Sequence, residues 1–366
     1  MLGFRSLERV MKHIKVSGCD YSIGFQHGQA CRDEINVGLN TYKYMFREVA
    51  GLEWDAVREI ASREFKRLNL LMPGCCREID GIACGSGFDL LDIMALNIRS
   101  EILFSLGCQQ ATDGCTSIAV MPCNPEQKHA LLAQNWDWLE SQRSACVVLT
   151  VEPEQGVPYL TVTEAGIVAK VGFNAAGIGV CLNALSVGYG ADGIPIHFHL
   201  REILRKQRLT AAMDQIIKNP HSCAAHYLIA SREGMAFGLE ATPSQVAVLS
   251  AENGTVIHSN HLLHKRHSQV YDFTPKVMGA SSYIRLEAVR QAISHRQGLT
   301  HDDIKKILSS HDSYPEGVCQ HPSGEAGICG KIASAFSIVM DLEKLSAAVC
   351  LGNPCESEYV QYRLDA

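Results

Sequence analysis

The chain has 366 residues and is 46% hydrophobic and 20% charged, values typical of a folded protein with a sizeable core. Its formal net charge of −6 lacks the basic excess of a nucleic-acid binder. No stretch approaches the roughly 18 apolar residues that a membrane span needs. We therefore expect a soluble protein without nucleic-acid or membrane partners, and a cytoplasmic location by default.

Helical spacing dominates the first third of the chain. Apolar residues recur at three- and four-residue intervals over 33–70 and 76–106, which predicts helices there. Past residue 115, short apolar runs alternate with Gly, Pro, Asn or Asp, which is typical of strands. These strands are predicted at 116–121, 130–134, 146–152, 159–163, 167–173, 178–184, 226–230, 236–240, 246–249, 255–258, 335–340, 347–351 and 359–363.

Further helices are predicted at about 196–218, 283–296 and 301–310, the last with a capping Thr300 and an acidic Asp303. Helices and strands in this order indicate segregated α and β layers. We predict one compact α+β domain with a helical N-terminal part.

Cysteine is unusually frequent, with 15 residues in the chain. The first 18 residues scatter their charges and lack the apolar run of a secretory signal, so we expect reduced thiols. No C-x-x-C motif occurs, and His197-x-His199 and His258-x-x-His261 match no ligand motif. A metal-dependent hydrolase is therefore the weakest interpretation, and we expect no metal site and no cofactor.

The Gly114–Cys115 junction is the sharpest local feature, because it lies where the helical part ends and the first strand of the β-rich part begins. Gly tolerates a strained backbone, so the Cys115 thiol could attack the carbonyl just upstream. Hydrolysis would leave Cys115 as a new N-terminus, with a thiol nucleophile beside its own α-amine as base. The plain alternative is a turn followed by a buried strand residue.

Two polar segments follow strands and extend this hypothesis. Asp137, in Gln134-Asn135-Trp136-Asp137, could orient a new α-ammonium or hold a polar substrate group, or simply cap a helix. Asn260, in Ser259-Asn260-His261, could donate to an oxyanion or form an Asx-turn.

Together these segments resemble the acyl-coenzyme A:isopenicillin N acyltransferases and their relatives, peptidase family C45 of the N-terminal nucleophile hydrolases. The matching segments, in order from about residue 13 to about 363, are DGIACG at 80–85, LNIRSE at 96–101, DGCT at 113–116, QNWD at 134–137, TEAGI at 163–167, KVGFN at 170–174, LNAL at 182–185, FGLE at 237–240 and SNH at 259–261. One such string would be weak, but their shared order makes the resemblance specific.

The resemblance implies a four-layer αββα sandwich and a precursor that cuts itself between Gly114 and Cys115. Residues 1–114 and 115–366 would then stay together as an αβ heterodimer. Cys115 would be the nucleophile and Asn260 the oxyanion-hole donor. Asp137 would be a catalytic residue that also binds substrate, and Asn135 and Gln320 would be further substrate-binding residues. The partners would be a small-molecule acyl donor, with acyl-CoA a candidate co-substrate, and an amine acceptor or water.

One departure concerns the segment YPEGVCQ at 314–320. In the penicillin-making enzymes the corresponding segment ends in an Arg that is thought to hold a substrate carboxylate, whereas this chain has Gln320. Gln lacks the charge and the bidentate fork that suit a carboxylate, which argues against a penicillin-type acceptor. Arg232 and Arg285 are the alternative basic residues that could hold such a carboxylate.

Three functional hypotheses follow. The leading one is a self-processed cysteine enzyme that transfers or hydrolyses an acyl group on a small amide or thioester. The others are a pure amidohydrolase of N-acyl amino compounds and an uncleaved binding or scaffold protein of the same fold.

Overall fold

Two β-sheets face each other in the computed structural model, which describes residues 10–105, 114–190, 192–294, 296 and 298–364, without the side chains of Ser105, Tyr189 and Cys329. The large sheet has the order β1-β4-β5-β6-β7-β8-β9-β10, and the small sheet has the order β11-β2-β3-β12-β13-β14. The strands are β1 Lys12–Gly18, β2 Gly114–Val120, β3 Leu131–Leu139, β4 Cys146–Pro153, β5 Tyr159–Glu164, β6 Val171–Asn174, β7 Ile178–Tyr189, β8 Cys223–Ser231, β9 Met235–Ala241, β10 Val246–Ser250, β11 Thr255–His258, β12 Ile332–Asp341, β13 Ser346–Leu351 and β14 Val360–Arg363.

Helices cover both sheets. They are α1 Asp20–Ala30, α2 Arg32–Ala50, α3 Trp54–Leu71, α4 Pro73–Ser86, α5 Leu90–Asn97, α6 Arg99–Ser105, α7 Ile196–Leu204, α8 Leu209–Ile217, α9 Thr274–Met278, α10 Ser281–Ile293 and α11 His301–Leu308. The pair α7–α8 packs on the large sheet, while α10 and α11 pack on the small sheet. This helix–sheet–sheet–helix order confirms the predicted αββα sandwich.

Strand alternation explains the two apolar layers. Gly179 of β7 faces Leu132 of β3 between the sheets. On the other face of the small sheet, Ile118 and Val120 belong to a second apolar cluster with Ile304 of α11. The predicted capping box of α11 is present, because Thr300 and Asp303 bond each other's backbone N–H groups.

The N-terminal helices are joined to the rest of the chain by a strand that the sequence analysis did not predict. β1 pairs in parallel with β4, from Lys12 opposite Val147 to Gly18 opposite Pro153. Residues on both sides of the Gly114–Cys115 junction therefore share one sheet. Within the described residues, no helix combines the length and the apolar character required to cross a membrane.

Candidate active site

The predicted junction lies at the start of β2, in the interior of the small sheet. β2 pairs antiparallel with β3, so that Gly114 lies opposite Asp137 and Cys115 opposite Trp136. Side chains alternate along a strand, so Cys115 and Trp136 face the layer between the sheets and Asp137 faces the opposite side. Cys115 is 0% exposed in the intact chain.

The Cys115 backbone is held on both sides by polar side chains. Its N–H donates to Asn260 Oδ1 at 2.9 Å. Its carbonyl accepts from Arg285 Nη1 at 2.6 Å. The peptide unit before Cys115 and the one after it are therefore fixed by two different elements, the loop after β11 and helix α10.

Arg285 connects the groups around the nucleophile. Its Nη2 donates to Asn260 Oδ1 at 2.8 Å, and its Nη1 also donates to Thr116 Oγ1 at 3.0 Å. Burial lowers the pKa of its guanidinium, while Asp137 and Cys115 oppose that shift. Since these donors point at the protein's own backbone and amide, Arg285 does not present a free fork to a substrate carboxylate.

Asn260 is fixed at every polar position that the contacts describe. Its N–H donates to Ser282 Oγ at 2.8 Å and its carbonyl accepts from Thr274 Oγ1 at 2.6 Å. Its Nδ2 donates to the Ala184 carbonyl at 3.1 Å. Here the amide turns its oxygen toward the Cys115 N–H, so the contact observed is a positioning one, and the oxyanion-hole role stays a prediction.

The loop that carries Asn260 is anchored by a buried carboxylate from FGLE. Glu240 Oε1 lies 2.9 Å from His258 Nε2 and accepts from the Leu263 N–H at 2.6 Å, while its Oε2 accepts from the His264 N–H at 3.0 Å. Although burial opposes ionisation, these contacts hold the pKa of Glu240 below its usual value. Two of the sequence segments, FGLE and SNH, thus act on one loop.

Asp137 is oriented by a neighbouring strand. Ser334 Oγ donates to Asp137 Oδ1 at 2.7 Å and accepts from the Gln320 N–H at 3.0 Å. β12 is irregular between Ser334 and Phe336, and bulges of this kind re-aim side chains next to sites. A Cβ at Gly114 would lie 3.2 Å from both Asp137 Oδ2 and Gln320 Oε1. The structure therefore brings Gly114, Asp137 and Gln320 together at one point.

A cavity of about 280 Å³ opens beside this point. Its described lining residues are Gly114, Val277, Met278, Gly279, Ala280, Ser281, Glu316, Gln320, Glu325 and Ile332. This set includes two carboxylates and neither Lys nor Arg. The cavity therefore offers a polar, acidic wall next to the Gly114 side of the junction.

Two candidate binding residues lie away from this cavity in the structure. Asn135 is buried in β3, and its Nδ2 donates hydrogen bonds to the Leu308 and Val318 carbonyls, both at 2.8 Å. It ties α11 to the sheet and does not line the cavity. Arg232 is exposed at the turn after β8, where its aliphatic part packs on Gly177.

A buried charged cluster lies behind Trp136 and was missed by the sequence analysis. Arg99 Nη2 and Lys170 Nζ lie 3.0 Å and 3.2 Å from Glu164 Oε2. Lys170 Nζ also lies 3.2 Å from the centre of the Trp136 ring. Burial raises the pKa of Glu164, but Arg99 and Lys170 outweigh it and lower the pKa to about 2.

The cluster explains charged residues inside three apolar segments, LNIRSE, TEAGI and KVGFN. The sequence did contain a signal for this cluster, namely a charged residue within an otherwise apolar segment, because a fully buried charge requires a partner. The roles of Arg285, Ser282 and Ser334 carried no local signal, since each depends on pairing with a distant strand or loop.

The chain belongs to the acyl-coenzyme A:6-aminopenicillanic acid acyl-transferase family, because residues 123–356 match that family. It is accordingly an enzyme of the acyltransferase class. A curated relative, the acyl-coenzyme A:6-aminopenicillanic-acid-acyltransferase 40 kDa form of Emericella nidulans, is 29% identical over 348 residues, which are 94% of this chain and 93% of the relative.

Solved structures give weaker matches. A conjugated bile acid hydrolase from Clostridium perfringens has 14% identity and a TM-score of 0.44 over 69% of this chain and 97% of its own. A penicillin V acylase from Agrobacterium tumefaciens has 13% identity and a TM-score of 0.34 over 65% of this chain and 83% of its own.

Proposed function

We propose that this acyltransferase cuts itself between Gly114 and Cys115 and then carries acyl groups on the Cys115 thiol. The observation that carries the proposal is the fixation of the Cys115 backbone by Asn260 and Arg285, next to Gly114, which lies directly opposite Asp137. A peptide held on both sides is oriented for attack, and orientation supplies a large part of such rate enhancements.

The proposed cleavage starts when Cys115 Sγ attacks the Gly114 carbonyl carbon. The C–N bond breaks, a thioester forms, and the released Cys115 nitrogen takes up the thiol proton. Water then hydrolyses the thioester, which leaves a carboxylate on Gly114 and restores the thiol. The new α-amine would keep a partner in Asn260 Oδ1, and Asp137, which lies opposite Gly114, is the carboxylate proposed to stabilise an ammonium.

In the proposed reaction the Cys115 amine accepts the thiol proton while Sγ attacks the acyl carbonyl of the substrate. The α-ammonium returns this proton to the departing CoA thiolate or amine as its bond to the acyl carbon breaks, and the acyl-enzyme then passes its acyl group to an amine or to water. Because Cys115 is 0% exposed in the intact chain, cleavage would also be the step that opens the nucleophile to substrate.

The two pieces are expected to remain together. β1 belongs to the N-terminal piece and β4 to the C-terminal piece, yet they share a hydrogen-bonded ladder from Lys12 to Gly18. This supports an αβ heterodimer rather than a released propeptide.

The proposed acyl donor is an acyl-CoA or N-acyl amine, in line with the family description. The proposed acceptor is a neutral or cationic amine, or water. Glu316 and Glu325 line the cavity beside Gly114 together with the neutral Gln320, and the two carboxylates would repel an acceptor carboxylate. This argues against 6-aminopenicillanic acid as the preferred acceptor.

Denaturing intact mass of freshly purified protein tests the cleavage. Wild type should give fragments of about 12.5 and 27.6 kDa, in proportion to residues 1–114 and 115–366 of the 40.1 kDa chain. Cys115→Ala should give one uncut chain, and Cys84→Ser, at an exposed cysteine, should cut like wild type.

An acyl-CoA and an N-acyl amine should then acylate the cut enzyme at Cys115, visible as a mass increase on the larger fragment. An uncut wild type that binds but does not turn over these donors would favour the scaffold hypothesis. If the enzyme turns over these donors but added amines never accept the acyl group, only hydrolysis occurs, which would favour a pure amidohydrolase.

A further inference from the structure

Four potential metal ligands converge outside the site described above. His311, Cys319, His321 and Cys355 each place one ligand atom within 4.8 Å of the other three. Cys319 and His321 are buried, whereas His311 is exposed. This set does not include Cys115, Asn260 or Arg285, and the sequence analysis expected no metal site.

The distances match those of a tetrahedral zinc site. With Zn–S of about 2.3 Å and Zn–N of about 2.0–2.1 Å, ligand atoms lie about 3.8 Å apart for S–S, 3.6 Å for S–N and 3.3 Å for N–N. Here Cys319 Sγ lies 3.5 Å from Cys355 Sγ, and His321 Nε2 lies 3.6 Å and 3.4 Å from those two sulfurs. The two imidazole Nε2 atoms of His311 and His321 are 3.2 Å apart.

The ring nitrogens point to a cation for a second reason. Two Nε2 atoms that face each other can share only one proton, whereas both lone pairs can bind one metal ion. Cys319 and Cys355 are free cysteines whose sulfurs are too far apart to be bonded to each other.

The surroundings resemble the outer shell of a metal site. The far ring nitrogen of His321, Nδ1, lies 3.8 Å from Glu356 Oε1, which is beyond hydrogen-bond distance but places a carboxylate on the side where one commonly orients a ligating histidine. Asn353 Nδ2 lies 3.5 Å from Cys319 Sγ and donates to the Gln320 carbonyl at 2.6 Å.

We propose that His311, Cys319, His321 and Cys355 bind one structural Zn²⁺ ion through two thiolates and two neutral imidazoles. Binding releases the two thiol protons to solvent, so the filled site is electrically neutral. All four positions are taken by protein, which is the pattern of a structural rather than a catalytic zinc. The ion joins the segment before β12 to the segment after β13.

The position of this site links it to the cavity beside Gly114. Gln320 lies between the ligands Cys319 and His321, and its Oε1 faces Gly114. The metal would therefore hold one wall of that cavity in place. Metal binding at this site does not depend on Cys115 chemistry. The zinc proposal can therefore be wrong or right independently of the proposed function.

Zinc content and cobalt spectra of the full chain test the proposal. The protein is expressed without a histidine tag, dialysed against metal-free buffer and analysed by plasma mass spectrometry, where we expect about one zinc per chain. Cys355→Ser and His311→Gln should each lower zinc affinity by at least about tenfold. Cys123→Ser, at an exposed cysteine elsewhere, and Cys115→Ala should keep the full content.

Co²⁺ should replace Zn²⁺ and give the visible bands of tetrahedral cobalt with thiolate charge transfer. X-ray absorption of the wild-type zinc protein should show two sulfur and two nitrogen ligands, a result that needs no variant to fold. Protein without zinc that takes up no Co²⁺ would overturn the proposal, as would unchanged zinc in folded Cys355→Ser. A Cys319–Cys355 disulfide in the freshly isolated protein would overturn it as well.

Discussion

At the scale of single residues, Gln320 is the side chain in the cavity beside Gly114 that we propose selects acceptors by their charge. Gln320 occupies the position where the related penicillin-making enzymes are expected to have Arg. Its Oε1 would lie 3.2 Å from a Cβ at Gly114, so a longer basic side chain there would project into the cavity. Charge at position 320 should therefore decide which acceptors are used.

We predict that Gln320→Arg raises the preference for an amine acceptor that carries a carboxylate over its carboxamide analogue. A charge-assisted bidentate contact contributes roughly 1.5–3 kcal/mol, which corresponds to about a 10- to 100-fold change in the ratio of kcat/KM. Gln320→Lys supplies the charge without the fork and should give a smaller change. An unchanged ratio in both variants would show that the acceptor binds away from Gln320.

Ser334 provides the matched test for Asp137. Its hydroxyl is the donor that fixes Asp137 Oδ1. Removing a bond to a charged group costs about 1.5–3 kcal/mol, so Ser334→Ala should slow self-cleavage by roughly tenfold or more. The cleavage half-life, followed by intact mass after refolding, measures this effect.

Ser334→Thr keeps the hydroxyl and should restore most of the rate. If Ser334→Ala and Ser334→Thr are equally slow, packing around β12 and not the hydrogen bond to Asp137 is responsible.

At the scale of elements, α1 and α4 are locked together by glycines in close contact with the opposing backbone. A Cβ at Gly24 would lie 1.9 Å from the Glu78 carbonyl oxygen, and one at Gly81 would lie 2.2 Å from the Tyr21 carbonyl oxygen. Both helices lie in the N-terminal part, and Gly81 belongs to the segment DGIACG. The need for close backbone approach explains glycines that reduce helix propensity.

We predict that Gly81→Ala lowers the free energy of unfolding by about 1–3 kcal/mol, because α1 and α4 must move apart. Gly38 is a matched control within α2, since its Cβ would meet nothing closer than 3.5 Å. Gly38→Ala should be neutral or stabilising by up to about 1 kcal/mol through helix propensity. Urea denaturation of both variants measures the difference, and equal stability would contradict the packing argument.

Most elements could be predicted from the sequence because their apolar spacing is local. β11 at Thr255–His258 matches its prediction, whereas β3 extends through Asp137 to Leu139, beyond the predicted end at residue 134. β1 was missed because its charged residues hide the alternation and its partner, β4, lies more than a hundred residues away.

The same contrast holds at the site. Gly114, Asp137 and Gln320 were identified as candidate residues from the sequence, and the structure places them close together. Arg285 was considered only for substrate binding, and its contact with the Cys115 carbonyl follows from how α10 packs against the small sheet. The Cys319–Cys355 pair likewise depends on two loops that tertiary structure brings together.

At the scale of the whole molecule, buried histidines make the fold sensitive to acid. Burial lowers the pKa of His27 to about 4, and its Nε2 accepts from the Gly166 N–H at 3.1 Å. Burial also lowers the pKa of His197 to about 3. Both values lie below the ordinary value of 6.5, so the unfolded chain binds protons that the folded chain excludes. These groups contribute stability above pH 6.5 that is lost as the pH falls toward 4.

We predict that His27→Gln removes part of this loss, because Gln can keep an acceptor near the Gly166 N–H without titrating. Between pH 7 and pH 5, a group with pKa values of about 4 folded and 6.5 unfolded changes the free energy of unfolding by about 2 kcal/mol. Between pH 7 and pH 5, the free energy of unfolding should therefore fall by about 2 kcal/mol more in the wild-type protein than in His27→Gln.

Urea denaturation at both pH values, in the Cys115→Ala background so that a single chain unfolds, measures the difference. Equal losses with His and Gln would mean that water reaches the His27 ring. The acid sensitivity would then have to come from other groups, such as His197 and the carboxylates, of which Glu164 loses its contribution only as the pH falls from about 4.5 toward 2.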